Sequence, residues 1–582
     1  MTRGRVTGNG RLYFLFFAFF GVLATIIGRL FYIQITQHDY YNNLAEKQHF
    51  QKTTLQAKRG KILFSDEFNI LASNQGMEKI AVAPREVEDF KDLAEKLSAT
   101  LKIEKDKILQ KISDKNDPWI EIGEISIEKA KPLYDIKGLH FESDFKRYYP
   151  QNEIASHAIG FLNKQKSGQY GIEGYYDKKL KGKDGFWRGI VDAKGRKVLS
   201  PFNKVEDPVD GDDIVLTLNF NVQLFIENQL KEVVKKYGAK GGTIIVSQPK
   251  TGEILGIASL SPFSKIKNFD PNKYNSVTQK EMDVFKDSAL AVSFEPGSIF
   301  KPITMAGAIE EGKVTPQTTF VDKGRIKIGS YVIKNAESIT YGKKNMTEVL
   351  EFSINTGAVF IQQELGAAKF TKYVQKFGLG KITGIGLAGE AKGSIDNILH
   401  PLSGEKLIEY ANASFGQGIS ATPVQIVQAF SAIANQGVMM KPNIVKKIIH
   451  PDGSFEEIKP KRVAKVLSLE TASTVSAMMV SVVKNGYSKK AGIEGYLIAG
   501  KTGTAQATWS YWGIDKAGYS NEVIHSFIGF APAFNPEFLI FLKMDAPHGI
   551  KHAADSLTPV FHDIAQYLLN YFGIPPEEEV KE

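Results

Sequence analysis

The chain has 582 residues, of which 43% are hydrophobic and 24% are charged, and its formal net charge is +9. This length and composition exclude a small peptide and a disordered chain, and they allow two or more domains because a single core stops growing near ~250–300 residues. The chain has no cysteine, which excludes disulfides, thiolate catalysis and zinc sites with cysteine ligands. Its basic residues are scattered, so the charge favours a surface near anionic membrane or wall polymers over nucleic-acid binding.

The first predicted element is an apolar helix near the N-terminus. Residues 12–28 include no charged side chain, and the apolar run resumes after Arg29 and continues to Ile35. A helix over residues 12–35 would be about 36 Å long, enough to span a bilayer. A cleaved signal peptide is the rival interpretation, but its apolar region is usually only about 7–15 residues long. We expect an uncleaved single-pass anchor in the cytoplasmic membrane, with residues 1–11 in the cytoplasm and the rest of the chain outside the cell.

Two domains are predicted beyond the anchor. Residues 36–210 mix polar loops with short strands and helices, including a helix over residues 86–103. The polar stretch FNKVEDPVDGDD, residues 202–213, contains proline and glycine and marks a boundary. We therefore predict an elongated N-terminal pedestal domain over residues 36–210, a second domain over residues 211–574 and an acidic tail over residues 575–582.

The second domain is predicted to be α+β. An amphipathic helix over residues 221–238 ends at a glycine, and two β-branched runs about a P-K-T-G turn predict a hairpin over residues 241–261. A long helical middle follows over residues 284–483. Strand patterns return in residues 495–507 and 527–545. Strands at both ends of a helical insert predict one antiparallel sheet, flanked by helices, that distant parts of the chain complete.

A serine and a lysine stand three residues apart in SFEPGSIFKPITMAGAIEEG, residues 293–312. Pro302 fits only in the first turn of a helix, so the helix begins next to Ser298. Residues i and i+3 share a helical face, so the amine of Lys301 can reach the Ser298 hydroxyl. A lysine that acts as a base needs a pKa well below 10.4, and apolar burial and the positive helix end both lower it. By itself the motif is more typical of a helix cap with a solvated lysine than of an active site.

A second polar pair, Ser353 and Asn355, lies in EFSINTGAVF between two helical segments. Taken alone, this pair is typical of a helix cap. Its spacing of i, i+2 with a variable residue between is the pattern S-x-N. We therefore keep it as a candidate site only in combination with the other motifs.

The third motif is K-T-G-T, residues 501–504, on a predicted strand. Alternation along a strand places Thr502 and Thr504 on one face, where their hydroxyls could bind a carboxylate. Gly503 would allow another segment of backbone to approach closely. Such a tetrapeptide also occurs in strands without any catalytic role.

In this order and within one predicted domain, S-x-x-K, S-x-N and K-T-G form the signature of penicillin-binding proteins and class A β-lactamases. Further segments extend the resemblance: residues 58–74, 147–161 and 168–185 are similar to pedestal motifs, and residues 410–437 resemble the segment between the second and third catalytic motifs. The usual D-R-N-G turn of the first pedestal motif is missing. The chain resembles a class B penicillin-binding protein, a membrane-anchored D,D-transpeptidase of peptidoglycan synthesis with a β-lactamase-like catalytic domain.

The resemblance implies a role for each residue of the three motifs. Ser298 would attack the carbonyl of the penultimate D-Ala of a stem peptide and form an acyl-enzyme, while Lys301 takes the hydroxyl proton. Ser353 and Lys501 would relay a proton to the leaving amine. Asn355 would orient Lys301 and the donor peptide.

The resemblance also implies how the substrate is held. The backbone N–H groups of Ser298 and Thr504 would form an oxyanion hole, and Thr502 and Thr504, beside Gly503, would bind the substrate carboxylate. β-Lactams would acylate the same serine. No metal or organic cofactor is implied, and His548 and His552 lie in a segment with proline and glycine that predicts a loop with solvated histidines.

Several alternatives stay open at this stage. A membrane-bound β-lactamase or D,D-carboxypeptidase would share the motifs but transfer the acyl group to water, and a penicillin-binding sensor or silent scaffold would share the fold. Within the family, the pedestal motifs favour a cell-division (septal) type over an elongation type. The partners would then be a multi-span membrane glycosyltransferase and division proteins, contacting the anchor and the pedestal.

Overall fold

The computed structural model describes residues 9–41, 50–114, 116–190, 198–201, 203–401 and 408–577. Positions 1–8 of the predicted cytoplasmic tip and 578–582 of the predicted acidic tail lie outside these ranges. Packing divides the chain into two compact units, one from positions 1–58 and 182–210 and the other from 59–181 and 211–582. This division differs from the predicted domain boundaries, which stay a prediction.

Helices are spread along the chain, and the two longest among the described residues are Asn9–Phe31, with 23 residues, and Phe220–Lys236, with 17 residues. In chain order they are α1 (Asn9–Phe31), α2 (Phe90–Leu101), α3 (Lys105–Ile112), α4 (Ile127–Ala130), α5 (Ser156–Ile159), α6 (Gly171–Tyr175), α7 (Asp177–Leu180), α8 (Phe220–Lys236), α9 (Lys301–Glu310), α10 (Met346–Glu351), α11 (Asn355–Leu365), α12 (Ala367–Lys376), α13 (Asp396–Leu399), α14 (Ile408–Ala413), α15 (Pro423–Ala434), α16 (Leu469–Lys484), α17 (Ala553–Ser556) and α18 (Thr558–Tyr571).

Strands alternate with these helices. They are β1 (Phe50–Leu55), β2 (Ile62–Leu63), β3 (Ile70–Val82), β4 (Ile120–Ser126), β5 (Leu139–Tyr148), β6 (Phe161–Leu162), β7 (Gly168–Gln169), β8 (Gly185–Ile190), β9 (Lys204–Glu206), β10 (Asp213–Leu216), β11 (Gly241–Ser247), β12 (Ile254–Leu260), β13 (Thr319–Asp322), β14 (Arg325–Ile328), β15 (Tyr331–Lys334), β16 (Gly342–Asn345), β17 (Val438–Met440), β18 (Val445–Ile449), β19 (Phe455–Glu457), β20 (Arg462–Lys465), β21 (Ala499–Thr508), β22 (Tyr519–Ala531) and β23 (Phe538–Asp545).

The first unit contains the apolar helix and a small sheet. Helix α1 continues through a π-helical turn, Tyr32–Thr36, and the run from Gly10 to Thr36 is long and apolar enough to cross a membrane. This fits the anchor predicted for residues 12–35. Strand β8 lies between β1 and β9 and pairs antiparallel with both of them.

The second unit contains a seven-stranded sheet that joins segments from both predicted domains. Its order is β19-β18-β10-β2-β3-β4, and β5 also pairs with β3. Strand β2 runs parallel to β10, with Ile62 opposite Ile214. This pairing explains why residues 59–181 pack with the C-terminal region of the chain.

Three of the predicted pedestal motifs meet at one buried ion cluster in this unit. Glu173, with no exposed side-chain surface, accepts hydrogen bonds from Arg59 Nε and Arg147 Nε, each at 2.7 Å. Arg147 Nη1 also donates to the carbonyl of Gly60 at 2.7 Å. The three motifs are therefore linked by buried ion pairs between Glu173 and the two arginines.

The second sheet of this unit is five-stranded and antiparallel, in the order β12-β11-β23-β22-β21. The predicted hairpin forms β11 and β12, and the other three strands come from residues 499–545. The prediction of one sheet completed by distant parts of the chain is confirmed, as is the α+β class. Helices α8 and α18 cover one face, where Ile226 packs in a cluster with Phe527 and Phe561. The other face packs on the helical segments that carry the site.

The predicted helical middle, residues 284–483, was wrong in part, because it contains four pairs of short strands among its helices. The hairpin β14–β15, RIKIGSYVIK, alternates polar and apolar residues about Gly329, whose φ of +60° suits a tight turn. Other predicted helices shift slightly: the helix predicted over residues 86–103 is Phe90–Leu101, capped by Asp89, and the one over residues 221–238 is Phe220–Lys236. In both helices a side-chain cap sets the first residue.

Candidate active site

Ser298 lies in a 3₁₀ turn, Gly297–Phe300, immediately before helix α9. Gly297 has φ of +58°, a conformation that favours glycine, and its N–H donates to the carbonyl of Gly416 at 3.0 Å. A Cβ on Gly416 would lie 2.3 Å from the carbonyl oxygen of Gly297, so only glycine at position 416 permits this close approach. The turn that carries Ser298 is therefore packed closely against Gly416. The helix begins directly after this turn, as predicted.

Lys301 extends from the first residue of α9 into a buried polar pocket, where its side chain is 1% exposed. Its Nζ donates to the carbonyl oxygen of Ser353 and, at 2.8 Å, to Asn355 Oδ1, and it lies 3.2 Å from Ser353 Oγ. The Ser298 hydroxyl has no hydrogen-bond partner among the described residues, so no hydrogen bond joins Ser298 to Lys301 in this structure. Two strong acceptors hold the amine towards the S-x-N motif instead.

Ser353 stands between α10 and α11, as predicted, but in an unusual backbone conformation. Its φ is +53°, in the left-handed region that non-glycine residues rarely occupy. This conformation ends α10 and presents both the carbonyl oxygen and the hydroxyl of Ser353 to Lys301. Asn355 Nδ2 donates to the carbonyl of Lys334 at 3.0 Å, which turns the amide oxygen towards the lysine.

Lys501 approaches the same hydroxyl from strand β21. Its Nζ lies 3.0 Å from Ser353 Oγ and 3.0 Å from the carbonyl of Thr502, and its side chain is 1% exposed. Ser353 Oγ therefore lies between the amines of Lys301 and Lys501. The structure thus brings residues of all three motifs into one hydrogen-bonded group.

The electrostatics of this group favour neutral lysines. Burial, and after it the charge of Lys501, lower the pKa of Lys301 well below its ordinary value. Burial lowers the pKa of Lys501 to about 7. Within the described part of the chain, neither lysine forms an ion pair with a carboxylate. An uncompensated, desolvated ammonium is unfavourable, so loss of a proton is the physical outcome.

The hydrogen bonds leave one defined path for a proton. A neutral Lys301 donates its two N–H groups to Ser353 O and Asn355 Oδ1 and keeps one lone pair. Lys501 donates to Ser353 Oγ, so the hydroxyl proton of Ser353 can point to the lone pair of Lys301. The three groups form a chain that can pass a proton in either direction.

Strand β21 places the K-T-G-T motif against the serine turn. A Cβ on Gly503 would lie 2.4 Å from Ser526 Oγ and 3.1 Å from the carbonyl oxygen of Pro296, so a larger residue would separate the strand from the turn. Thr502 is buried, whereas Thr504 is exposed and its Oγ1 accepts a hydrogen bond from the N–H of Ala553 at 3.2 Å. Glycine is therefore needed here for a close approach.

Comparison with known families accounts for most of the chain. Residues 242–566 match the penicillin binding protein transpeptidase domain, and residues 54–216 match the penicillin-binding protein dimerisation domain. The chain belongs to the class B penicillin-binding proteins. Its transpeptidase domain makes it an enzyme of the serine D,D-transpeptidase class, as the resemblance implied.

Individual relatives cover nearly the whole of this class B penicillin-binding protein. Stage V sporulation protein D of Bacillus subtilis is 34% identical over 589 residues, which cover 99% of this chain and 88% of that protein. Probable peptidoglycan D,D-transpeptidase PenA of Neisseria meningitidis is 29% identical and covers 98% and 94%. The crystal structure of penicillin binding protein 3 from Mycobacterium tuberculosis, complexed with aztreonam, has a TM-score of 0.68, 26% identity and coverage of 91% and 99%.

One residue of the site, Glu295, was missed by sequence reasoning. Its carboxylate accepts hydrogen bonds from the N–H of Gly418 at 3.0 Å and from the hydroxyl of Tyr519 at 2.9 Å. Burial raises the pKa of Glu295. Both partners lie more than 100 residues away in sequence, so no local pattern could have revealed that Glu295 clamps the turn of Ser298.

The two histidines of the predicted loop take no part in this group. His548 and His552 lie between β23 and α17, and His552 Nε2 is 3.3 Å from Glu337. In the part of the chain that the structure describes, no cluster of three or more His, Cys, Asp or Glu side chains is arranged to hold a metal ion.

Proposed function

We propose that this enzyme cross-links peptidoglycan stem peptides through an acyl-enzyme on Ser298. The observation that carries the proposal is the position of Ser353 Oγ between Lys301 and Lys501, at 3.2 and 3.0 Å, beside the turn that holds Ser298. A serine next to a neutral buried amine, with a relay to a second amine, can be deprotonated for attack and can protonate a leaving group.

In the first half-reaction, Ser298 Oγ attacks the carbonyl carbon of the penultimate D-Ala. Lys301 turns its lone pair from Ser353 Oγ to Ser298 Oγ and takes the proton. The tetrahedral intermediate then collapses and the C–N bond breaks. The departing amine of the terminal D-Ala takes a proton from Ser353, which is reprotonated by Lys301 or Lys501. The product is an ester between Ser298 and the donor peptide.

In the second half-reaction, an amine of another stem peptide attacks the ester carbonyl. Its proton follows the relay in the opposite direction and returns to Ser298 Oγ as the C–O bond breaks. The new amide is the cross-link. Both half-reactions use the same groups, because breaking and forming an amide are the same step read in reverse.

The peptide-binding surface would be the outer edge of β21. This strand is at the end of its sheet, so an extended donor peptide can pair with its free backbone groups. The hydroxyls of Thr502 and Thr504 would hold the terminal carboxylate, and the N–H groups of Ser298 and Thr504 would bind the oxyanion. Each oxyanion donor in comparable enzymes is worth about 3–4 kcal/mol.

For the cellular context, we propose a septal role in which the anchor holds the catalytic domain outside the cytoplasmic membrane. The pedestal motif GIEGYYDKKLKG supports the septal role, and the run from Gly10 to Thr36, long and apolar enough to cross a membrane, supports the anchor. The partners would be a multi-span membrane glycosyltransferase, which supplies glycan strands, and division proteins. The anchor and the N-terminal domain would carry the contacts.

Labelling of the full-length protein in detergent with a fluorescent penicillin tests the nucleophile. We expect covalent labelling of the wild type and none of Ser298→Ala, with thermal unfolding of the two proteins alike. Labelling that survives in the alanine variant would show that another residue is acylated. A second assay with stem pentapeptides, in which cross-linked dimer is compared with tetrapeptide, separates transfer to an amine from transfer to water.

A further inference from the structure

Two loops from opposite sides of the site meet on its solvent side. Glu337 accepts a hydrogen bond from Lys551 Nζ and lies 3.3 Å from His552 Nε2. We call these three residues the latch. Their side chains are 42%, 73% and 46% exposed, whereas the amines of Lys301 and Lys501 are buried. The latch therefore lies at the protein surface, whereas the two lysines lie in the interior.

On one side the latch is tied to the S-x-N motif. Asn335, two residues before Glu337, accepts a hydrogen bond from the N–H of Thr356 at 3.1 Å, at the start of α11. The neighbouring carbonyl of Lys334 accepts from Asn355 Nδ2 at 3.0 Å. Glu337 therefore stands on a short arm whose base is joined to the motif.

On the other side the latch is tied to the K-T-G-T motif. Ala553, two residues after Lys551, donates its N–H to Thr504 Oγ1 at 3.2 Å. The ion pair thus completes a chain of contacts from Asn355 to Thr504. Glu337 and the next residue both have left-handed backbones, with φ of +54° and +57°, a conformation that persists only where the surroundings hold it.

We propose that Glu337 is a specificity-determining residue: the latch closes the gap between Asn355 and Thr504 and restricts the entry of stem peptides more than that of small β-lactams. This proposal rests on the proposed function, because it takes that gap as the path of the donor peptide. An exposed ion pair is weak, so the closed and open forms are both populated. A donor that needs the open form reacts in proportion to its population.

The test compares two donors of different size on the full-length protein in detergent. Glu337→Ala and Lys551→Ala are assayed for acylation by benzylpenicillin and for D-Ala release from a disaccharide pentapeptide. We expect kcat/KM for the disaccharide pentapeptide to rise about two- to fivefold in Glu337→Ala, which removes both contacts of the latch, and to rise less in Lys551→Ala, which leaves His552 beside Glu337. The double variant should match Glu337→Ala, because the same contacts are lost. The rate with benzylpenicillin should stay near that of the wild type. Raised salt should reproduce the rise in the wild type only.

Asp555→Asn is the matched control, because it breaks the exposed Lys490–Asp555 ion pair, 2.7 Å, close to the same loop. It should leave the ratio of the two rates unchanged. If the ratio of the pentapeptide rate to the penicillin rate in Glu337→Ala equals that of the wild type, the proposed role of the latch is wrong. A wild-type protein that neither binds penicillin covalently nor releases D-Ala would overturn the proposed function instead, so the two failures are distinguishable.

Discussion

Two clusters of buried charged side chains in this protein differ in how their charge is compensated. In the first, Glu173 lies between Arg59 and Arg147, and each of its carboxylate oxygens accepts from a guanidinium group at 2.7 Å. In the second, Lys301 and Lys501 approach a single hydroxyl, and no carboxylate of the described residues pairs with either amine. One cluster matches opposite charges, and the other places like charges together.

The difference separates a structural role from a chemical one. The matched charges of the first cluster hold the segments of three motifs together. Unmatched charges favour the neutral form: burial lowers the pKa of Lys501 to about 7 and also lowers the pKa of Lys301 well below its ordinary value. A perturbed pair of this kind is unfavourable for folding and marks a site of reaction.

The largest effect is expected at the second cluster. Lys301→Met keeps the apolar length of the side chain and removes the base. Acylation by penicillin should slow by about 10²- to 10⁴-fold, the usual contribution of a general base. Thermal unfolding should occur at the same temperature as in the wild type or above it, because a buried amine has been removed. A variant with normal acylation would show that Lys301 is not the base.

The first cluster should respond in stability rather than in chemistry. Glu173→Gln leaves the buried Arg147 without a carboxylate partner and leaves Arg59 with Asp177 alone, and breaking a buried pair costs about 3–5 kcal/mol in comparable cases. Denaturant unfolding should report this loss. Glu88→Gln, which alters an exposed ion pair with Lys137, is the control and should leave stability close to that of the wild type. An equal loss of stability in Glu173→Gln and Glu88→Gln would contradict the structural role of the Glu173 cluster.

The pH dependence of stability sharpens the comparison. The unfolded Lys501 binds its proton up to about pH 10.5, whereas the folded one loses it near pH 7, so the unfolded state binds more protons between these values. The free energy of unfolding should therefore rise with pH in this window by at most about 1.4 kcal/mol per unit from this group. Lys501→Met should flatten the rise, as followed by thermal unfolding at several pH values.

The smallest effect is expected from the clamp on the turn of Ser298. Tyr519→Phe removes one hydrogen bond to Glu295, worth about 0.5–1.5 kcal/mol, and should slow acylation by up to about tenfold. Glu295→Ala should slow it more, because the contact with Gly418 is lost as well. Tyr496→Phe is the control. It removes the hydrogen bond from the Tyr496 hydroxyl to the carbonyl of Ile574, away from the site, and should leave acylation unchanged.

Sequence reasoning found the members of the site but not their contacts. Three short motifs in a fixed order predicted that Ser298, Lys301, Ser353, Asn355 and Lys501 belong together, and the structure brings four of these side chains into one hydrogen-bonded group. The roles assigned to them stay predictions. We expected a hydrogen bond between the Ser298 hydroxyl and Lys301, but the amine of Lys301 bonds to Ser353 and Asn355 instead. Sequence spacing cannot predict which of several nearby acceptors a lysine will contact.

The fold shows the same limit. Periodicity predicted the apolar helix, the hairpin β11–β12 and the late strands, since each depends on residues close in sequence. It missed the short hairpins within residues 284–483, whose strands of three to five residues are too brief to establish a period.

The sequence by itself determined the class of the protein, the order of its motifs and the local signals that begin and end most helices, because these depend on residue type and spacing. Only the tertiary structure decided that Glu295 clamps a serine 3 positions away through partners more than 100 residues distant, that Ser353 adopts φ of +53°, and that Glu337 meets Lys551. Such contacts form when segments that are remote in sequence pack together, and local sequence preferences do not specify which remote segments become neighbours.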